Sequence, residues 1–133
     1  MFGIVDIESC ATGSPTSLFD SALIAAGTHI DLVGNHHQTC RECDTETVKM
    51  SYVIADSCLK VFHEAGEVLI PLSEGHIEKT HVKGELAQLC TGDVNGRLNN
   101  NQITLFKSVG TALADVANVH HVYQVLSCSL KSL

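Results

Sequence analysis

Apolar positions fall into short segments early in the chain and into helical stripes later. Ile4-Val5-Asp6-Ile7-Glu8-Ser9-Cys10-Ala11-Thr12 reads as a strand ending in small residues, and it breaks at the turn signal Gly13-Ser14-Pro15. Asp20 is placed to cap a short helix through Leu23 and Ile24 that stops at Gly27. A second strand, His29-Ile30-Asp31-Leu32-Val33, ends at Gly34, and Asp44 or Thr45 opens a short helix near Val48. Tyr52-Val53-Ile54-Ala55 is a third strand, followed by Asp56-Ser57 as a helix N-cap. Cys58, Val61, Phe62, Ala65, Val68, Leu69 and Leu72 then recur close to the 3.6-residue period, predicting one helix over 58–72.

Strand, helix, strand, helix, strand, helix with short connections is the pattern of a parallel sheet with crossovers. Strands without clean alternation fit a sheet covered on both faces, so the class is α/β. Gly84 to Cys90 reads as a short helical piece ending at Thr91-Gly92, and Asp93 to Asn101 as a loop. Ile103-Thr104-Leu105-Phe106 is strand-like. The last helix carries Val109, Ala112, Leu113, Val116, Ala117, Val119, Tyr123 and Leu126 on a broad stripe. Its neighbours His120 and His121 do not share a face, so one is expected to pack and the other to be solvated. From Ser127 onward no pattern continues, and a frayed tail over 127–133 is expected.

Composition narrows the partners. A formal net charge of −7 argues against nucleic acid and anionic membrane. No apolar run reaches the roughly 18 residues of a membrane span, and no secretory leader is visible. The six cysteines, two of them inside apolar patterns (Cys58, Cys90), read as reduced thiols of a cytoplasmic protein. Cys40-x-x-Cys43 beside His36 and His37 has zinc-like spacing, but no second such pair completes four ligands, and no metal is expected. A dinucleotide site of this class also needs a Gly-x-Gly-x-x-Gly turn at a helix N-terminus. None occurs; if these strands are the second mononucleotide half, they reach only the nicotinamide side.

Specific stretches carry a resemblance. Phe19-Asp20-Ser21-Ala22-Leu23, Gly27-Thr28-His29-Ile30-Asp31-Leu32-Val33-Gly34, Arg41-Glu42-Cys43-Asp44-Thr45-Glu46-Thr47-Val48, Gly84-Glu85-Leu86 and Ile103-Thr104-Leu105-Phe106-Lys107-Ser108-Val109-Gly110 occur in order. The ordered set resembles the ornithine cyclodeaminase/mu-crystallin family. The resemblance implies NAD(P)-linked chemistry, namely cyclodeaminase, alanine dehydrogenase or ketimine reductase, in dimeric proteins. It implies that residues 1–75 are the rear half of a Rossmann-like domain, and that 76–126 return toward a substrate and dimerisation domain. A chain so truncated is expected to lack turnover alone. The alternative is a non-catalytic module that self-associates or pairs with a full-length relative.

The same resemblance assigns candidate residues. Ala11 and Thr12 pass the backbone beneath the cofactor, unless they only end a strand. Leu32 and Gly34 lie at the carboxyl edge, where a missing Cβ lets the nicotinamide ribose approach or simply makes the turn. Lys107 and Ser108 match a cofactor-contacting stretch, presenting a cation and a hydroxyl ahead of a helix; otherwise they are an N-cap serine beside a surface lysine. Where cyclodeaminases carry a catalytic Asp, this chain has Gly34-Asn35-His36-His37, which points away from ornithine cyclodeamination and toward reductase-type members. His36 becomes the candidate proton carrier, or else a solvated loop histidine. Arg97 and Asp115 are expected to organise structure.

Overall fold

The computed structural model describes residues 5–130, with side chains to residue 127. Five strands, β1 (Ile7–Cys10), β2 (His29–Leu32), β3 (Tyr52–Ala55), β4 (Val82–Glu85) and β5 (Thr104–Lys107), form one sheet in the order β1-β2-β5-β3-β4. Every pairing is parallel. The strand that closes the sheet's centre therefore comes last: β5 enters between β2 and β3, far from both in sequence.

The registers align the strand ends. Cys10 pairs with Leu32, Leu32 with Lys107, Lys107 with Ala55 and Ala55 with Glu85, so one row marks the carboxyl edge of all five strands. Because side chains alternate between faces, Ile30, Leu32, Val53, Ala55 and Leu105 point to one side. There they form the buried core with Val48, Val61 and Val68 of α1 (Thr45–Met50), α2 (Cys58–Glu64) and α3 (Gly66–Ser73). His29, Tyr52, Ile54, Thr104 and Phe106 point to the other side, where α4 (Leu86–Thr91) and the loop through Arg97 cover them in part. A cavity of about 460 Å³ remains between sheet and α4, and Ile7 on the edge strand β1 is 65% exposed.

Local chemistry explains most elements. Asp20 caps a 3₁₀ turn at Ser21–Leu23 by accepting from the Ala22 N–H at 2.9 Å. Asp44 caps α1 from the Thr47 N–H at 2.7 Å, and its other oxygen takes the Ser21 N–H at 2.9 Å. The helical stripe of 58–72 is interrupted: Ala65 is extended and α3 restarts at Gly66. The cause is tertiary, because the Gly66 N–H donates to the His37 carbonyl at 3.2 Å and a Cβ there would collide with the Cys40 carbonyl. Ser57 is the first cap of α2 but makes no side-chain cap bond; the Cys58 N–H donates instead to the Glu85 carboxylate at 2.7 Å.

The helical piece read from Gly84 begins two residues later, since Gly84 and Glu85 belong to strand β4. The expected boundary near residue 75 falls inside the sheet, which takes β4 and β5 from beyond it. Arg97 does organise structure: its guanidinium reaches the carbonyls of Gly27 at 2.6 Å and Gln102 at 2.7 Å and the Thr104 hydroxyl at 3.1 Å. The final helix, α5 (Ala112–Leu130), runs past Ser127 where fraying was expected, and residues beyond 130 lie outside the described ones. His120 and His121 are both exposed on it, so neither packs.

Asp44 supports a pH-dependent prediction. Burial opposes its ionisation, but hydrogen bonds from Ser21 and Thr47 outweigh that and hold its pKa below the ordinary carboxylate value. A depressed carboxylate stabilises the fold above its unfolded pKa and loses that contribution as pH falls through the folded one. Asp44→Ala is expected to cost about 1 kcal/mol near neutrality, with the deficit shrinking in acid below the ordinary carboxylate range. Urea denaturation across pH checks it.

Candidate functional site at the carboxyl edge

Parallel sheets expose their ligand-binding surface at the carboxyl ends of the strands. The segments leaving the aligned row are residues 11–14 after β1, 33–37 after β2, 108–110 after β5 and 56–57 after β3. Five of the expected site residues, Ala11, Thr12, Gly34, His36 and Ser108, lie on these segments, and Leu32 and Lys107 end their strands.

Two carboxylates lash these segments together. Glu42 is fully buried, although it arises from the loop before α1. Its Oε1 accepts from the Thr12 N–H at 2.6 Å and the Thr12 hydroxyl at 2.8 Å, and its Oε2 accepts from the Gly34 N–H at 3.1 Å. Asp56 does the same on the far side: its Oδ2 accepts from the Ser108 hydroxyl at 2.8 Å, the Val109 N–H at 3.0 Å and the Gly110 N–H at 2.8 Å. Gly110, at φ 76°, has open space around it.

Behind this edge lies a buried ion pair. The Lys107 ammonium stands 3.4 Å from Glu67 Oε2, both side chains fully buried, and donates to the Asn35 carbonyl at 2.6 Å. Glu67 Oε1 accepts the Glu42 N–H at 3.1 Å, and the Asn35 side-chain amide donates to the Ser14 carbonyl. Residues 34 and 35 are thus held on one side by Glu42 and on the other by Lys107.

These contacts bear on four of the assignments. Lys107 is not a cation offered ahead of a helix; its ammonium points into the core face toward Glu67. Nor is Ser108 an N-cap, because α5 starts at Ala112 and the Ser108 hydroxyl is bound to Asp56. The side chain of Leu32 is core, and its carbonyl accepts the Ser108 N–H at 3.0 Å. The space a Cβ on Gly34 would need is filled by the Thr12 backbone and the Glu42 carboxylate, so glycine is required here by the protein's own packing. Ala11 and Thr12 are exposed at the edge, and His36 is exposed with its ring stacked on His37 at 4.8 Å.

Thiol chemistry at this edge is suppressed. Burial, and then the carboxylates of Glu42, Glu8, Asp31 and Glu67, push the Cys10 pKa up to about 11. Burial raises Cys43 well above the ordinary thiol value, with Glu67 and Asp44 adding to it. Cys10, Cys40, Cys43, Cys58 and Cys90 are free thiols. Among the described residues no group of three or more His, Cys, Asp or Glu side chains is placed to hold a metal, and no helix is long and apolar enough to cross a membrane.

A half-covered parallel sheet with a braced carboxyl edge defines an α/β protein of the Rossmann-like kind. The profile of the ornithine cyclodeaminase/mu-crystallin family matches residues 4–129, and the chain belongs to that family. The Delta(1)-pyrroline-2-carboxylate reductase of Colwellia psychrerythraea is 46% identical over 122 residues, covering 92% of this chain and 39% of the relative. The structure of the Thermococcus litoralis Delta(1)-pyrroline-2-carboxylate reductase in complex with NADH and L-proline is similar with TM-score 0.80 and 41% identity, over 82% of this chain and 34% of that one. An archaeal alanine dehydrogenase dimer with bound NAD gives TM-score 0.84 at 28% identity, over 93% of this chain and 39% of that one. The chain thus spans less than two fifths of the length of these three relatives.

Two outcomes follow from the buried groups. Lys107→Met leaves Glu67 buried without its cation and is expected to cost about 3–5 kcal/mol in urea denaturation, with part of the loss recovered when Glu67→Gln is added. Iodoacetamide near neutral pH is expected to label exposed Cys90 while sparing Cys10 and Cys43 in the folded protein, as read by peptide mass spectrometry.

Proposed function

We propose that this chain carries the nicotinamide-side half of an NAD(P)H-dependent imine reductase site of the pyrroline-2-carboxylate reductase type. The observation that supports this best is the braced carboxyl edge, in a chain 41% identical to a reductase solved with NADH and L-proline. The residues suit one part of the cofactor. Ala11 and Thr12 after β1, and Ser108 and Gly110 after β5, place small residues at the strand ends, and Gly34 lies between them after β2. The sequence has no Gly-x-Gly-x-x-Gly turn for the pyrophosphate, and Lys107 is already committed to Glu67.

When bound, NAD(P)H supplies the hydride that reduces an imine carbon. The chain's own part is to position the nicotinamide side with residues 11–12, 34 and 108–110, and to present His36 as proton carrier for the imine nitrogen. Carrying only this half, the chain turns over no substrate alone. A specific observation favours a second, non-catalytic reading: the side chains from Ala112 to Leu126 of α5 are all exposed, among them Leu113, Val116, Val119, Tyr123 and Leu126. An apolar helix so displayed suits self-association or pairing with a full-length relative, with α5 as the return segment.

Titration with NADH and NADPH by fluorescence, beside size-exclusion chromatography, tests both readings. Saturable binding without reduction of pyrroline-2-carboxylate is the expected result. Robust turnover by the pure chain refutes the half-site reading, and a compact monomer that ignores full-length relatives refutes the pairing.

A further inference from the structure

Resting on the reading of the carboxyl edge as the nicotinamide-side site, we infer that Glu42 is its positioning residue. Through one buried carboxylate it sets the spacing between the β1 and β2 exits, and with it the placement of His36.

The geometry is specific. Parallel strands β1 and β2 are hydrogen-bonded as far as the pair Cys10–Leu32, and the Val33 N–H still donates to the Cys10 carbonyl at 2.9 Å. Past that point the two chains leave the ladder, and backbone donors at Thr12 and Gly34 need other acceptors. Glu42 supplies both from the side, with a third bond from the Thr12 hydroxyl. It therefore continues the β1–β2 pairing beyond the sheet, with a carboxylate in place of a strand. The fit leaves no slack, because Thr12 and Glu42 fill the space that any side chain at position 34 would occupy.

Glu42 is itself immobilised. Its carbonyl accepts the Leu18 N–H at 2.9 Å, and its own N–H is held by Glu67, the partner of Lys107. Lys107 then fixes the Asn35 carbonyl, one residue from the Gly34 amide that Glu42 holds. The loop bearing His36 thus leaves the sheet from two consecutive residues pinned by opposite ends of one buried network. His36 and His37, the next residues, are exposed and stacked on each other. Their position at the edge follows from the pinned pair that precedes them. Charge matters as well as shape, since a carboxylate accepts all three bonds, whereas a carboxamide of the same size turns an N–H toward one of those donors.

The test is Glu42→Gln in the whole chain, read by residue-resolved amide exchange and by NADH fluorescence. Exchange at Thr12 and Gly34 is expected to rise roughly tenfold to a hundredfold, the loss of hydrogen bonds to a charged acceptor, while the Ile30, Val53 and Leu105 amides stay as protected as before. NADH affinity is expected to fall about tenfold, a difference of 1.4 kcal/mol, with reduced emission from the bound dinucleotide. Unchanged exchange at Thr12 and Gly34 overturns the inference, and so does a uniform rise across all amides, which marks a merely structural residue. Loosened loops with undiminished NADH affinity overturn it too. If the unmodified chain binds no NADH, the cofactor reading fails, and the amide pattern alone decides the positioning role. Should Glu42→Gln not fold, Thr12→Val removes only the hydroxyl bond; a smaller, still local rise at Thr12 and Gly34 supports the inference, and no rise refutes it.

Discussion

Two carboxylates, Glu42 and Glu67, and one ammonium, Lys107, are fully buried behind the carboxyl edge, and the arrangement of that edge depends on how they hold one another and the loops. A buried charge is costly unless it is paired and hydrogen-bonded. Lys107 neutralises Glu67, while three N–H and O–H donors from Thr12 and Gly34 converge on Glu42. Each of these groups comes from a different part of the chain: the exits of β1 and β2, the loop before α1, the first turn of α3 and the end of β5. Such a cluster adds little net stability compared with apolar packing, but it penalises every alternative arrangement of the loops around it. Asp56 plays the neighbouring role for residues 108–110, so both sides of the edge are set by acceptors that sit outside the strands.

The two faces of the sheet stand in contrast. One is sealed by α1, α2 and α3 over a contiguous core. The other keeps a cavity of about 460 Å³ beside α4, the edge strand β1 shows Ile7, and α5 extends with its apolar residues in the open. Parallel sheets are ordinarily covered on both faces, and here the second face is covered only in part.

Much of this was legible locally. β3 is a contiguous apolar run and β2 alternates His29-Ile30-Asp31-Leu32 before a polar turn, while Asp20 and Asp44 announce their helical turns by position, so periodicity and capping suffice. Strand β4 was not legible, because Val-Lys-Gly-Glu offers one large apolar residue and its Gly84 reads as a helix boundary. The helix over 58–72 was predicted whole because its apolar period runs unbroken through Ala65. The break comes from the His37 and Cys40 carbonyls, which no local pattern foretells. At the edge, the structure gives the positions singled out other reasons to be there. Gly34 is special for the company of Thr12 and Glu42, and Lys107 faces a glutamate forty positions earlier. Glu42 stood out only as one letter of a familiar block, and Asp56 only as a helix cap.

Those errors share a cause. Reading a lysine before a loop as a ligand contact, or a glycine as room for a ligand, assumes that an unusual residue faces outward. In a parallel sheet the last residue of each strand still alternates between faces, and Lys107 shares its row with Leu32 and Ala55, both pointing into the core. Register therefore decides which way a strand-end side chain points before any functional argument begins. The groups that reach the outer surface are the ones just beyond the row, Thr12, His36 and Ser108 to Gly110, and each is presented by a carboxylate or an ammonium that stays behind.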